Sequence, residues 1–137
     1  MITLDFGKTE QNLSHIFECG QCFRWEAEPL LDKTAEPLSD KAQADGPYVG
    51  VANGEVVRAS VQGNKLVLEG TEDYNIWANY FDLSFDYEGL KNKFCECEIL
   101  KKCVEYGYGI RILKQDLFEV NLRFYRFWFF FGNFQSF

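Results

Sequence analysis

Gly20-Gln21-Cys22-Phe23-Arg24-Trp25 is the stretch on which the fold turns. It holds a glycine, an amide, a thiol, two aromatics and a guanidinium in six residues. Cys22, Phe23 and Trp25 read as strand residues, with Arg24 on the face opposite Phe23 and Trp25, and the strand runs to about Ala27. Gly20 has no Cβ, so it marks a point where the backbone can pass close to something else. That something is a tight turn or a ligand. For such a pattern taken alone, a turn glycine leading into a core strand is the commoner case.

Upstream, residues 2–6 alternate and read as a short strand. Residues 12–18 form a helical or extended lead-in, with Asn12 as N-cap. Downstream, residues 28–46 are acidic and contain Pro29 and Pro37, a solvated loop. Residues 47–52 read as a strand, Asn53-Gly54 as a type I′ hairpin turn and residues 55–62 as the return strand. Gly63-Asn64 turns the chain again and residues 65–69 close the meander. The pattern predicts an antiparallel sheet with one face turned to a core.

The period then changes from two to 3.6. Thr71 is the expected cap of a helix whose Tyr74, Trp77, Ala78 and Phe81 lie on one face. These aromatics read as core rather than as platforms for stacking bases. Residues 86–95 form a second helix with Leu90 and Phe94 four apart, and residues 98–106 a third with Leu100 and Val104 on one side. Gly107 or Gly109 suits a left-handed cap. Residues 110–113 are an extended connector, and Asp116 is placed to cap whatever helix follows.

Length and charge narrow the function. The 137 residues make one domain, or one domain and the start of another, and the 47 % apolar fraction is enough for an ordinary core. There is no 18-residue apolar run and no basic-then-apolar N-terminus, so neither a membrane span nor a signal peptide is expected. The five cysteines, an odd number, fit reduced thiols in a cytoplasm. The net charge of −7 opposes tight binding to nucleic acid. It is uneven, with 6 Lys and Arg against 16 Asp and Glu in residues 1–90, and 8 against 5 in residues 91–137. Any phosphate contact therefore belongs to the C-terminal third or to a part of the protein outside this sequence.

Three segments, in this order, resemble the N-terminal domain of the 8-oxoguanine DNA glycosylase/AP lyase family. The first is Gly20 to Trp25. The second is Asn79-Tyr80-Phe81-Asp82-Leu83 followed by Asp86-Tyr87. The third, Gly109-Ile110-Arg111-Ile112-Leu113-Lys114-Gln115-Asp116, is similar to the segment that leads into the family's catalytic domain. The likeness covers roughly residues 1–119. It implies an α+β fold, a TATA-binding-protein-like twisted antiparallel sheet with helices packed on one face. It also implies excision of oxidised guanine from duplex DNA through a lysine amine, then strand nicking through a Schiff base.

Little of the site carries over. Gly20 matches the glycine whose carbonyl accepts a hydrogen bond from N7–H of 8-oxoguanine, and Phe23 is a candidate for the same pocket wall. Gln21, Arg24 and Trp25 are expected to fix the strand. Lys114 belongs to the connector and is not the nucleophile, and no lysine follows it. No catalytic residue, metal ligand or cofactor is expected here. The resemblance implies residues 1–96 as the glycosylase N-terminal domain and residues 97–119 as an incomplete start of the helix-hairpin-helix domain. Residues 120–137 form an aberrant tail with Phe127, Trp128, Phe129, Phe130 and Phe131 in a row.

The tail sorts into no period, Leu117 stands where the family has proline, and the likeness stops near Val120. The expectation is a truncated chain whose last residues are read out of frame, with the tail poorly determined. The expected partner is duplex DNA containing oxidised guanine for a full-length member, with weak binding for this chain alone, no membrane and a cytoplasmic location of bacterial or archaeal type. The alternative is a stand-alone binding or scaffold module without catalysis. The remaining features read plainly: Cys19-x-x-Cys22 lacks a well-spaced second half for zinc, His15 is structural or on the surface, and Lys101-Lys102 is a solvated helix face.

Overall fold

The computed structural model describes residues 1–7, 9–28, 46–117 and 120. Most of the acidic loop expected over residues 28–46, and all of the tail beyond Val120, lie outside the described residues.

Strands β1 (Ile2–Asp5), β2 (Trp25–Ala27), β3 (Tyr48–Ala52), β4 (Glu55–Gln62) and β5 (Lys65–Glu69) form one antiparallel sheet in the order β1-β5-β4-β3-β2. The two hairpins are those the turn residues predict. Asn53 and Gly54 both have positive φ, as a type I′ turn requires. At the next turn Gly63 alone is at positive φ, between the paired Gln62 and Lys65.

The sheet is α+β rather than a plain meander because β1 and β2 lie on opposite edges. The chain must cross the full width between them. Helix α1 (Leu13–Phe17) makes that crossing on the inner face and buries Leu13, Ile16 and Phe17. Asn12 is its N-cap, as expected, with Oδ1 accepting from the His15 amide at 3.0 Å. Helix α2 (Tyr74–Tyr80) covers the same face with Trp77 and Tyr80. The core beneath them joins Leu4, Val57, Ala59, Leu66 and Leu68 to an aromatic cluster of Phe6, Phe17, Trp25, Tyr48, Trp77, Tyr80 and Phe81.

Trp25 sits at the centre of that cluster. Its ring stacks on Phe17 with centroids 4.2 Å apart and planes 8° from parallel, and its Nε1 donates to the Tyr80 hydroxyl at 3.0 Å. Gly50, its cross-strand partner, makes room: a Cβ there would lie 2.2 Å from the indole. The conformational freedom of this glycine is not used; its missing side chain is.

Several details differ from the sequence reading. The strand starts at Trp25, not Cys22, because residues 18–24 turn back onto the end of α1. Phe23 consequently does not share a face with the buried Trp25; it is 66 % exposed. The cap of α2 is Asp73, whose carboxylate accepts from the amides of Asn75 and Ile76. Thr71 is instead buried and takes the Trp77 indole N–H at 2.8 Å. Tyr74 lies before the core begins and is half exposed, while Tyr80, which the period did not assign to the apolar face, is buried.

Helices α3 (Tyr87–Phe94) and α4 (Glu98–Tyr106) fall where the period put them, with Asp86 capping α3 through the Gly89 amide. Neither contains a buried residue. Among the described residues no helix is long and apolar enough to cross a membrane.

Candidate functional site

The three segments singled out in the sequence meet in space. The first and third join at Gln21, half-buried in the bend between α1 and β2. Its Nε2 donates to Ile16 O at 2.8 Å and to Arg111 O at 2.7 Å. Its Oε1 accepts the Leu113 amide at 2.9 Å. Its own backbone carbonyl accepts from Gln115 Nε2 at 2.5 Å. The amide orientation is forced, since two carbonyls can only accept and the Leu113 N–H can only donate. Ile16 O is one of the carbonyls the end of α1 leaves without a helical partner, so this bond also finishes the helix.

The connector is fastened to the second segment too. Arg111 is 3 % exposed, and its guanidinium lies 4.4 Å from the ring centroids of both Phe6 and Tyr87. Nη1 donates to the carbonyls of Phe81 and Asp82 at 3.3 and 3.2 Å, at the C-terminal end of α2 where a cation is favoured. Burial pushes the Arg111 pKa down, opposed by Tyr87 and Asp82. The Lys114 ammonium pairs with Asp82 at 2.6 Å, its amide donates to Tyr80 O, and the Tyr87 hydroxyl accepts from the Ile112 amide. At the other end, Gly109 at φ +72° lets the chain touch Asn12; a Cβ there would lie 2.4 Å from the Asn12 nitrogen. His15 Nδ1 lies 2.8 Å from Tyr108 O.

Gly20 stands beside this network and differs from Gly50 and Gly109. It too has positive φ, +87°, which disfavours any side chain. Yet a Cβ would meet nothing within 4 Å. Among the described residues its carbonyl has no hydrogen-bond partner. The glycine is demanded by the backbone bend and opens onto free space, on a loop fixed from behind by Gln21. Phe23, the other candidate residue, is exposed on the same bend.

The thiols of Cys19 and Cys22 donate to the successive carbonyls of Ile16 and Phe17, each at 3.5 Å. Cys97 is the N-cap residue of α4 without a side-chain capping bond, and the nearby amides of Leu100 and Ile99 lower its thiol pKa from the usual value. Among the described residues no group of three or more His, Cys, Asp or Glu side chains is placed to hold a metal. The long-range roles of Gln21, Gln115 and Arg111 carry no periodic signal. Only the co-occurrence of the three segments pointed towards them.

Residues 3–120 match a family described as the N-terminal domain of 8-oxoguanine DNA glycosylase. No curated protein matches the chain. Among solved structures, the apo form of Clostridium acetobutylicum 8-oxoguanine glycosylase/lyase is 36% identical, with a TM-score of 0.66 over 82% of this chain and 35% of that one. The same enzyme in complex with double-stranded DNA containing cytosine opposite 8-oxoG gives 36% identity and a TM-score of 0.66, over 82% and 34%. MBOgg1 in complex with a low-affinity DNA ligand is 38% identical, with a TM-score of 0.64 over 80% and 34%. This chain thus spans about a third of the length of each. With the family match running through all three converging segments, the chain belongs to the 8-oxoguanine DNA glycosylase N-terminal domain family.

Proposed function

We propose that this chain serves base-excision repair as the non-catalytic, lesion-reading part of an 8-oxoguanine DNA glycosylase/AP lyase. Gly20 O is the lesion-reading atom. 8-Oxoguanine carries a hydrogen on N7 and guanine a lone pair, so one fixed carbonyl accepts from the first and opposes the second. A polar contact left unmade on both sides costs about 1–3 kcal/mol, enough to discriminate. The observation that carries this reading is Gly20 itself, at positive φ, facing open space, on an anchored loop. Phe23 forms part of the pocket wall.

Residues 1–96 are the reading domain and residues 97–119 the start of the helical domain that holds the lysine nucleophile in full-length members; residues 120–137 are the aberrant tail. The exposed Ile99, Leu100, Tyr106 and Ile112 are the surface on which that helical domain packs in a full-length member. The substrate of the whole enzyme is duplex DNA with oxidised guanine, in a cytoplasm of bacterial or archaeal type.

Two measurements test this. Titration of 8-oxoguanosine into the 13C-labelled chain shifts the Gly20 carbonyl resonance, whereas guanosine at equal concentration does not; identical responses to the two nucleosides defeat the reading. The chain alone gives no excision and no borohydride-trapped adduct on an 8-oxoguanine duplex, and its duplex binding is weak and collapses with added salt. A trapped adduct, or tight binding at physiological salt, shows a different machinery. No response to either nucleoside, together with stable capture of another protein through α4, favours a scaffold module.

A further inference from the structure

We propose that Gln21 is a positioning residue: it makes the shape of the Gly20 loop conditional on the connector at residues 110–115 being docked. The proposal rests on reading Gly20 as the base-contacting atom. It is argued from the direction of the hydrogen bonds. Local bonds tie the loop to its neighbours, from Gln21 Nε2 to Ile16 O, from Cys22 Sγ to Phe17 O and from the Val51 amide to Arg24 O, but they act on either side of Gly20, which is exposed and at positive φ. The further hold on Gln21, the residue next to Gly20, comes from about 90 residues away in sequence, through Arg111 O, the Leu113 amide and the Gln115 side chain.

The clasp is reciprocal. The Gln21 side chain grips the backbone of the connector, and the Gln115 side chain grips the backbone of Gln21. Neither segment has regular structure of its own to fall back on, since residues 18–24 and 110–116 lie between elements. The connector is in turn held by Arg111 and Lys114 on the end of α2. A shift of the connector therefore reaches Gly20 through one residue. In any longer member the connector is the segment leading onward from this domain, so lesion reading would be sensitive to how the following domain is seated.

The test uses the 137-residue chain, 15N- and 13C-labelled, with Gln21→Ala, Gln21→Glu and Gln115→Ala. Gln21→Glu keeps the size but loses both donors, setting a carboxylate against two carbonyls. In wild type the amide order parameters of Gly20 to Phe23 should sit near 0.85, the rigid-backbone value, and fall below about 0.6 in all three variants while β3, β4 and β5 keep theirs. In Gln21→Ala, which removes its acceptor, exchange of the Leu113 amide should rise about tenfold, as expected for loss of one hydrogen bond. The Gly20 carbonyl response to 8-oxoguanosine should disappear in Gln21→Ala and Gln21→Glu.

Unchanged order parameters at Gly20 in Gln115→Ala overturn the proposal. That variant alters one partly exposed connector side chain and keeps the question answerable if the Gln21 variants unfold. A Gln21→Glu variant that retains the full nucleoside response also overturns it. If wild type shows no nucleoside response at all, the Gly20 reading fails, and the clasp stands or falls on the order parameters alone.

Discussion

Helices α2 and α4 are both amphipathic in sequence, and they meet opposite fates. In α2 the apolar face is buried: Trp77 is fully covered, Tyr80 nearly so, and both join the aromatic cluster over the sheet. In α4 no residue is buried, and Ile99 and Tyr106 are 74 % and 86 % exposed. The difference teaches that period identifies which side of a helix wants covering and says nothing of what covers it. For α2 the cover is the sheet, laid down by the chain just before it. For α4 it is not among the described residues, in a chain spanning about a third of its relatives' length.

The sharpest way to break this comparison is to remove one side chain from each region. Trp25→Ala deletes the ring that Phe17 and Gly50 are built around, and should cost about 3–5 kcal/mol by urea unfolding. Gly50→Ala should be comparably severe, because the new Cβ would collide with the rigid indole rather than with a flexible tip. Ile99→Ala on α4 should change stability by no more than about 0.5 kcal/mol. An Ile99 loss as large as that of Trp25 would mean that α4 is covered after all.

Arg111 tests the boundary between the two regions. Replacing it with Met keeps much of the volume between Phe6 and Tyr87 but strands the carbonyls of Phe81 and Asp82. We expect a loss of about 2 kcal/mol, below that of Trp25→Ala, since two accepted bonds and two ring contacts are given up against a desolvation cost removed. Amides of α3 should then exchange faster than those of β4. If Arg111→Met is neutral, or if both elements open together, the connector does not pin the helices to the sheet.

How much of this was legible depends on how far apart the cooperating residues lie. Asn53-Gly54 and Gly63-Asn64 are local signals, and β4 and β5 fall where they put them. Asn12 was readable as a cap because the acceptor and the amide it serves are three residues apart. Asp73 was missed in favour of Thr71, since both are good caps and only burial of Thr71 under Trp77 decides between them. The pairing of β1 with β5 and the clasp between Gln21 and the connector span most of the chain and leave no periodic trace. From its pattern alone Gly20 was legible only as a glycine at a turn or at a close approach. That it opens onto space, whereas Gly50 makes room for an indole, needed coordinates.

Within the packed region, Tyr48 gives a smaller and pH-dependent effect. It is buried, and its hydroxyl donates to Glu18 Oε1 at 2.6 Å. Burial first, then the bond to and charge of Glu18, push its pKa above the usual 10. A raised acid pKa means the folded state keeps a proton that the unfolded chain releases. The stability linked to it is therefore whole below pH 10 and declines as pH rises past that value. The decline should approach about 1.4 kcal/mol per pH unit for this group. In Tyr48→Phe that increment of slope should vanish, which urea midpoints at several pH values on either side of 10 would show. Equal slopes in the two proteins would place the hydroxyl in solvent.

The outer face of the same sheet should give the smallest effect. Arg58 on β4 reaches Glu28 at 2.7 Å and Glu69 at 3.3 Å, but all three side chains are substantially solvated. Charges in water attract weakly, and holding a long side chain in place costs entropy, so Arg58→Met should lose no more than about 1 kcal/mol. The aliphatic stem that lies on the sheet survives in Met, which isolates the charge. What is lost should shrink further at high salt, where such pairs are screened. The contrast is with Trp25, whose partner Gly50 sits on β3 next to β4 but whose ring lies on the inner face. If Arg58→Met cost several kcal/mol and ignored salt, the outer face would be covered too, and the sheet would have to be read as buried on both sides.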